Sequence, residues 1–423
     1  MSRSTSSAIV ITLVMICAAM APMSVCAQEE AAADSTPPGA SYTVETTAGY
    51  FNTNRAYFAP GAEHWGEGFS RSRLQYRWPS GAQLTAGGVL MTTVGTDYYG
   101  VADQNDGLLD QLSISAPDLG GTGLGIALGR QNIQFGDGFL ISDGYLDHRS
   151  ALWSIPLSFY DGVKLDWARG TAHATAFAAD YSPSFEGALG ARPDGYVFGA
   201  EAGWTRSEGS ELALAYLRRH DTSVIEDRAQ AISLRGGWLS GPFVLAGEAV
   251  LESGTRTGTD LAGRGGHVAA TWRSEGRWKP MLKAEYLLFS GDDQTTSKDE
   301  SYDPWQFGWV DWSTYYVGDL LSSTVGTSTN MRMALLQLGL TPREGTGVRL
   351  LAHRMDRDLA DIRPFAYEFD AVVEQAIGEQ WSAWVMGGLV TGLSAAELEF
   401  GSREHSAQLF ASLTYNFGGR LGN

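Results

Sequence analysis

Glu404 to Phe417, EHSAQLFASLTYNF, is the stretch whose reading decides the fold. In an extended chain Ala407, Leu409, Ala411, Leu413, Tyr415 and Phe417 fall on one face. Gln408, Phe410, Ser412, Thr414 and Asn416 fall on the other, which is the period of two of a β-strand. An apolar face ending in aromatic rings, backed by a polar face, suits a strand that separates lipid from a watery lumen in a closed barrel. An edge strand of a soluble sandwich would show the same alternation, so the rest of the chain must choose.

The pattern recurs about eighteen times in segments of roughly ten residues, long enough to cross an outer membrane when tilted. The segments are 41-50, 68-78, 82-93, 108-116, 123-131, 160-168, 172-181, 196-205 and 211-219, then 229-238, 242-252, 264-273, 278-290, 331-340, 346-355, 364-375, 380-390 and 405-417. Segment 82-93 is blurred by Gly87 and Gly88. Odd-numbered connections are long, as in 132-159, and even ones are tight, as in Pro79-Ser80-Gly81, Gly170 and Ser240-Gly241. A sandwich has no reason for that parity, whereas a barrel with long extracellular loops and short periplasmic turns does. The expectation is an all-β transmembrane barrel of about eighteen antiparallel strands over residues 41-417, with a C-terminal tail at 418-423.

Arg3, the uncharged run Ala8 to Met20 and the small-residue site Val25-Cys26-Ala27 read as a secretory signal spanning 1-27. Residues 28-40, acidic and proline-rich, read as a disordered leader. Both cysteines, Cys17 and Cys26, leave with the signal, so neither a disulfide nor a thiolate metal site is expected in the mature chain. The 52 glycines and 18% charged residues suit one large barrel, which needs no big apolar core. A formal charge of −18 with no basic run excludes a nucleic-acid partner. The expected surroundings are the lipid and barrel-assembly machinery of a Gram-negative outer membrane, around a monomer.

Catalytic signatures are missing: the seven histidines show no HExxH spacing, and there is no GxSxG, Walker or GxGxxG motif. An enzyme is not expected, nor is a cofactor. The inward positions carry more. Arg71, Arg73, Gln75 and Arg77 oppose Leu74, Tyr76 and Trp78, which sets three guanidinium groups along the lumen wall. By the same parity Lys164, Arg219, Arg235, Arg273, Lys283 and Arg349 point inward, against Asp166, Glu201, Glu248, Glu285, Glu368, Asp370 and Glu374. Such pairs can simply knit the wall together. A file of arginines can also lower the barrier for an anionic chain.

Two loops stand out. Connection 132-159 carries the turns Gly136-Asp137-Gly138 and Asp143-Gly144 and is long enough to fold inward. Asp137 and Asp143 could ligate calcium, although EF-hand spacing is absent. Connection 291-329 mixes acids with Tyr302, Trp305, Trp309, Trp312 and Tyr316, rings that could stack on sugars or pack on the rim.

Gly129-Arg130-Gln131 followed by Phe135-Gly136-Asp137-Gly138, the arginine-bearing second strand, Tyr302-Asp303-Pro304-Trp305 and Tyr316-Val317-Gly318-Asp319 resemble the alginate export family of outer-membrane porins. The resemblance implies a barrel that passes an anionic uronate polymer through an arginine-lined, loop-gated pore, with Arg71, Arg73, Arg130 and the two loop motifs taking part. The expected function is a passive porin for anionic polysaccharide or related anionic or sugar-like solutes. The alternatives are a non-transport surface barrel plugged by loop 132-159 and, further off, a barrel hydrolase. Arg130 shares the parity of Leu124, Ile126 and Leu128, so lining the pore would require a bulge or the loop to turn it inward.

Overall fold

The computed structural model describes residues 38–54, 63–95, 105–141, 160–180, 195–206, 209–221, 227–303, 305 and 329–421. The expected signal and nearly all of the expected leader, residues 1–37, lie outside the described residues. The strands run β1 (Gly39–Thr53), β2 (Glu63–Arg77), β3 (Gln83–Val94), β4 (Asn105–Ala116), β5 (Leu124–Gln131) and β6 (Tyr160–Arg169). They continue as β7 (Ala172–Asp180), β8 (Gly195–Thr205), β9 (Glu211–Asp221), β10 (Asp227–Ser240), β11 (Phe243–Arg256) and β12 (Thr259–Leu261). Then come β13 (Arg264–Arg273), β14 (Met281–Phe289), β15 (Met331–Arg343), β16 (Thr346–Arg357), β17 (Pro364–Ile377), β18 (Trp381–Gly392), helix α1 (Ser394–Phe400) and β19 (Ser406–Leu421).

β12 is a three-residue strand that pairs with the end of β11, bridges through Leu261 to Asp299, and is not part of the wall. The other eighteen strands pair antiparallel with their sequence neighbours, and β1 closes on β19 from Ala40↔Leu421 to Thr53↔Gln408. Closure leaves no sheet edge for lipid to meet, which is the condition for spanning with strands. All eighteen expected segments are present; strands such as β4, β9 and β19 run further than the apolar pattern, and β5, β7 and β14 stop short of it. Residues 418–421 continue β19 and are not a tail, because Phe417 to Leu421 keep their partners on β1.

Alternation sorts the wall. Leu74, Leu90, Leu212, Leu214, Ile232, Leu251, Leu336 and Phe369 are exposed on the outside. The exposed tryptophans among the described residues, Trp167, Trp204, Trp238, Trp272, Trp278 and Trp381, all lie beside the short turns, with Phe417 and Tyr76 on the same rim. Amphipathic rings prefer the headgroup level, so this rim marks one membrane interface. Gly170 and Gly241, at φ 62° and 55°, make the tightest of those turns. Loop parity holds in outline only: the connections Asp221 to Asp227 and Arg357 to Pro364 are no longer than the turn from Arg273 to Met281.

The core sits inside the barrel. Phe51, Trp65, Trp384 and Phe410 form one buried inward patch, with Phe51 stacked 5.0 Å from Trp65 and 4.3 Å from Phe410. Phe410 is thus the apolar member of a face that otherwise reads as polar. One register shift, between Gly87 and Gly88 opposite β4, adds a residue to β4 and turns Asp110 inward, where it is buried.

Candidate functional site

Leaving β5 at Gln131, the chain turns into the barrel and not away from it. Ile133, Phe135, Phe139, Leu140 and Ile141 are all buried, and Phe135 bridges to Ile141. They pack on inward side chains of the wall: Phe135 lies 5.2 Å from Phe177 of β7, and Phe139 lies 5.1 Å from Phe289 of β14. β13 makes the seat by lacking bulk. A Cβ on Gly265 would come 2.6 Å from the Phe139 ring and 2.7 Å from that of Tyr302.

At the tip, Gly136 has φ 60°, and a Cβ there would stand 2.8 Å from both carboxylate oxygens of Glu248. The Asp137 amide donates to Glu248 Oε2 at 2.9 Å, and the Ser233 hydroxyl donates to Glu248 Oε1 at 2.5 Å. Asp137 Oδ2 lies 2.9 Å from His267 Nε2, whose Nδ1 lies 3.0 Å from Glu285. Lys283 Nζ completes that chain 2.6 Å from Glu285. Arg235 joins the walls, reaching Glu211 at 3.0 Å, Glu201 at 3.3 Å and Asp137 at 3.7 Å. Partly desolvated charges of both signs in this arrangement fix geometry more than they add stability, because removing either partner strands the other.

A second loop caps the first. Tyr302 is fully buried, stacks 5.3 Å from Phe289, and donates its hydroxyl to the Phe139 carbonyl at 2.8 Å. Burial pushes the Tyr302 hydroxyl well above its ordinary pKa, so it stays a donor. Arg219 pairs with Asp303 at 2.6 Å and lies over the Trp305 ring at 5.3 Å. Trp305 therefore presents its face to a guanidinium and not to a passing sugar. Nearby, burial opposes ionisation of Asp299, but the Ser301 hydroxyl and Arg256 outweigh it and hold the carboxyl below its ordinary value.

β2 stands nine strands from β11 either way round the wall, opposite the seat of the loop tip. Arg71, Arg73 and Arg77 take the inward register with Glu67 and Gln75, while Leu74 and Tyr76 are exposed outside. Arg71 lies 3.4 Å from Asp110, the residue added by the β4 bulge, and Arg77 donates to Gln83 at 3.3 Å. The β2 face of the lumen thus carries three arginines among the carboxylates Glu67 and Asp110, and the face carrying the loop tip is mixed as well.

The model of the alginate export family matches residues 89–375. The chain belongs to the alginate export family. The barrel is similar to solved outer-membrane porins: OpdO of Pseudomonas aeruginosa, with TM-score 0.60 at 15% identity over 90% of this chain and 97% of that one. OpdK of the same organism, solved with vanillate, gives 0.57 at 11% identity over 90% and 99%. OccAB4 of Acinetobacter baumannii gives 0.57 at 10% identity over 91% and 100%. At these identities the likeness concerns the fold. A search of curated proteins returns no match. Family and fold are those of outer-membrane transport barrels and not of enzymes.

Within this alginate export barrel the inward register also holds for Lys164, which pairs with Asp166 at 3.4 Å, for Arg273 at the short-turn end, and for Arg349, which pairs with Glu374. Glu368 and Asp370 face inward and are buried. Arg130 does not line the pore. β5 has no bulge, so Arg130 stays on the outer register of Leu128 and forms a two-pronged pair with Asp161, at 3.0 and 2.7 Å. Asp143, Trp309, Trp312 and Tyr316 lie outside the described residues. Parity placed Glu248 inward yet gave no sign of its bond to a loop amide. His267, also on an inward position, passes unnoticed in a motif search because its partner Asp137 is 130 residues away.

Proposed function

We propose that this barrel is a passive outer-membrane channel for anionic, sugar-like solutes, which cross between the β2 arginine face and the seated loop 132–141. The observation that carries this reading is the row of Arg71, Arg73 and Arg77 on one inward face, across the lumen from the loop tip. Guanidinium groups in a narrow space of reduced dielectric attract carboxylates and can bind them in pairs of hydrogen bonds. Family membership supports an anionic cargo, and a similar barrel was solved with an anion, vanillate. The mixed charges at the loop tip favour a path along which carboxylates alternate with hydroxyls over a uniformly charged polymer.

The test is the reversal potential of single channels in a planar bilayer under a salt gradient. Arg73→Glu with Arg77→Glu reverses about four unit charges and should swing the channel from anion toward cation preference, less so at 1 M salt where the Debye length is ~3 Å. A double variant that folds, conducts and keeps its anion preference at low salt would sink the reading. The burial of Phe135, Phe139 and Ile141 inside the lumen favours a second reading, a plugged and non-conducting barrel. A native protein that is silent and conducts once 134–140 are removed would favour it.

A further inference from the structure

Among the described residues, two clusters of histidine with carboxylates face the lumen, and they are finished differently. In the first, Asp137, Glu248 and His267 are engaged by the Asp137 amide, the Ser233 hydroxyl and Glu285, so the protein itself completes it. The second joins His353 of β16 to Glu368 and Asp370 of β17, each offering a ligand atom within 4.8 Å of the others. Register sets His353 directly opposite Glu368, and Asp370 follows two residues along the same inward face.

All three are buried, and Asp370 has no hydrogen-bond partner outside the cluster, His353 Nδ1 standing 3.5 Å away. In the same row Asp370 neighbours Gly388, and Gly388 neighbours Gln408. Gly388 places no side chain between them. Both polar atoms of Gln408 are likewise buried without a hydrogen bond. The inward arginines of β16 are turned to other acids, Arg349 to Glu374 and Arg357 to Glu399. Buried carboxylates are tolerated when paired or when they coordinate a metal.

We infer that His353, Glu368 and Asp370 bind a divalent transition-metal ion of the zinc or manganese class. One imidazole with two carboxylates suits such ions, whereas calcium takes oxygen ligands in larger number. Atoms bound to one such ion at about 2.0–2.2 Å lie within roughly 4 Å of each other, so small side-chain rotations would close the site. The ion ties β16 to β17 next to α1, where Arg357 holds Glu399 and Phe365 packs 6.3 Å from Phe400.

The experiment uses the full chain refolded in detergent, stripped with a chelator and dialysed separately against Zn2+, Mn2+ and Ca2+, with bound metal counted by mass spectrometry. About one Zn2+ per chain, competed by Mn2+ and not by Ca2+, is expected. His353→Gln and Asp370→Asn should each weaken retention at least tenfold, while Asp166→Asn, an inward carboxylate on β6, should not. Heat-modifiable mobility verifies that each variant has folded. If the variants fail to fold, Co2+ loaded into the native protein should give visible bands of a low-coordinate nitrogen and oxygen site. A native barrel that retains no ion and gives no such bands overturns the inference, as does equal retention in folded His353→Gln. A metal-free chain made more heat-resistant by Glu368→Gln would show instead that the two carboxylates share a proton.

Discussion

Single side chains hold the loop tip against the inner wall of the barrel. Glu248 accepts the Asp137 amide and the Ser233 hydroxyl, so Glu248→Ala strands both donors in a poorly solvated place. A hydrogen bond to a charged group contributes about 1.5–3 kcal/mol, enough to raise the open population of the loop by an order of magnitude or more. The measurable outcome is a larger and noisier single-channel conductance, while an unchanged trace would show that the tip is held by its apolar contacts alone. Gly136→Val should act in the same direction by a different route, since the new side chain meets the Glu248 carboxylate and the backbone there has positive φ. On the opposite face Asp110→Asn removes the charge beside Arg71 and leaves the arginine row stronger. Its reversal potential should move toward anions, opposite in sign to the arginine-to-glutamate variant, so that the two shifts together separate a selectivity effect from a general loss of structure.

At the scale of elements, the strands were legible because alternation depends on neighbours two residues apart. Leu212, Leu214 and Tyr216 could face lipid only if Ala213, Ala215 and Leu217 faced in, and that reading needs no knowledge of what lies across the lumen. The two blurred glycines of β3 likewise fall where the register slips and brings in Asp110. The seat of the loop was not legible. Phe139 meets Gly265, Phe289 and Tyr302 through contacts spanning more than a hundred residues, and no local period records a hollow made by missing side chains. Arg130 marks the limit of motif reading: a member of a family-like motif, it still follows the parity of its own strand onto the outer face. Gly265→Leu is the element-scale test, because it fills the hollow and should push out Phe139. Limited proteolysis of the folded barrel should then cut within 132–159 faster than in the native chain, and an identical cleavage rate would mean the hollow does not hold the loop.

For the molecule as a whole, closure between β1 and β19 is the condition on which everything else rests. Removing Ser406–Leu421 exposes the inner edges of β1 and β18 along their full length, and the truncated chain should show neither heat-modifiable migration nor insertion into lipid vesicles. A truncated form that still inserts and conducts would mean the wall can close with one strand fewer. The placement of the wall tryptophans has a use in optical work. Since Trp167, Trp204, Trp238, Trp272, Trp278 and Trp381 are all on one rim, brominated phospholipids confined to that leaflet should dim their emission, and the same quencher in the other leaflet should leave them bright. The barrel thus carries an intrinsic fluorescent marker of which way up it sits, readable in a reconstituted vesicle without attaching a dye.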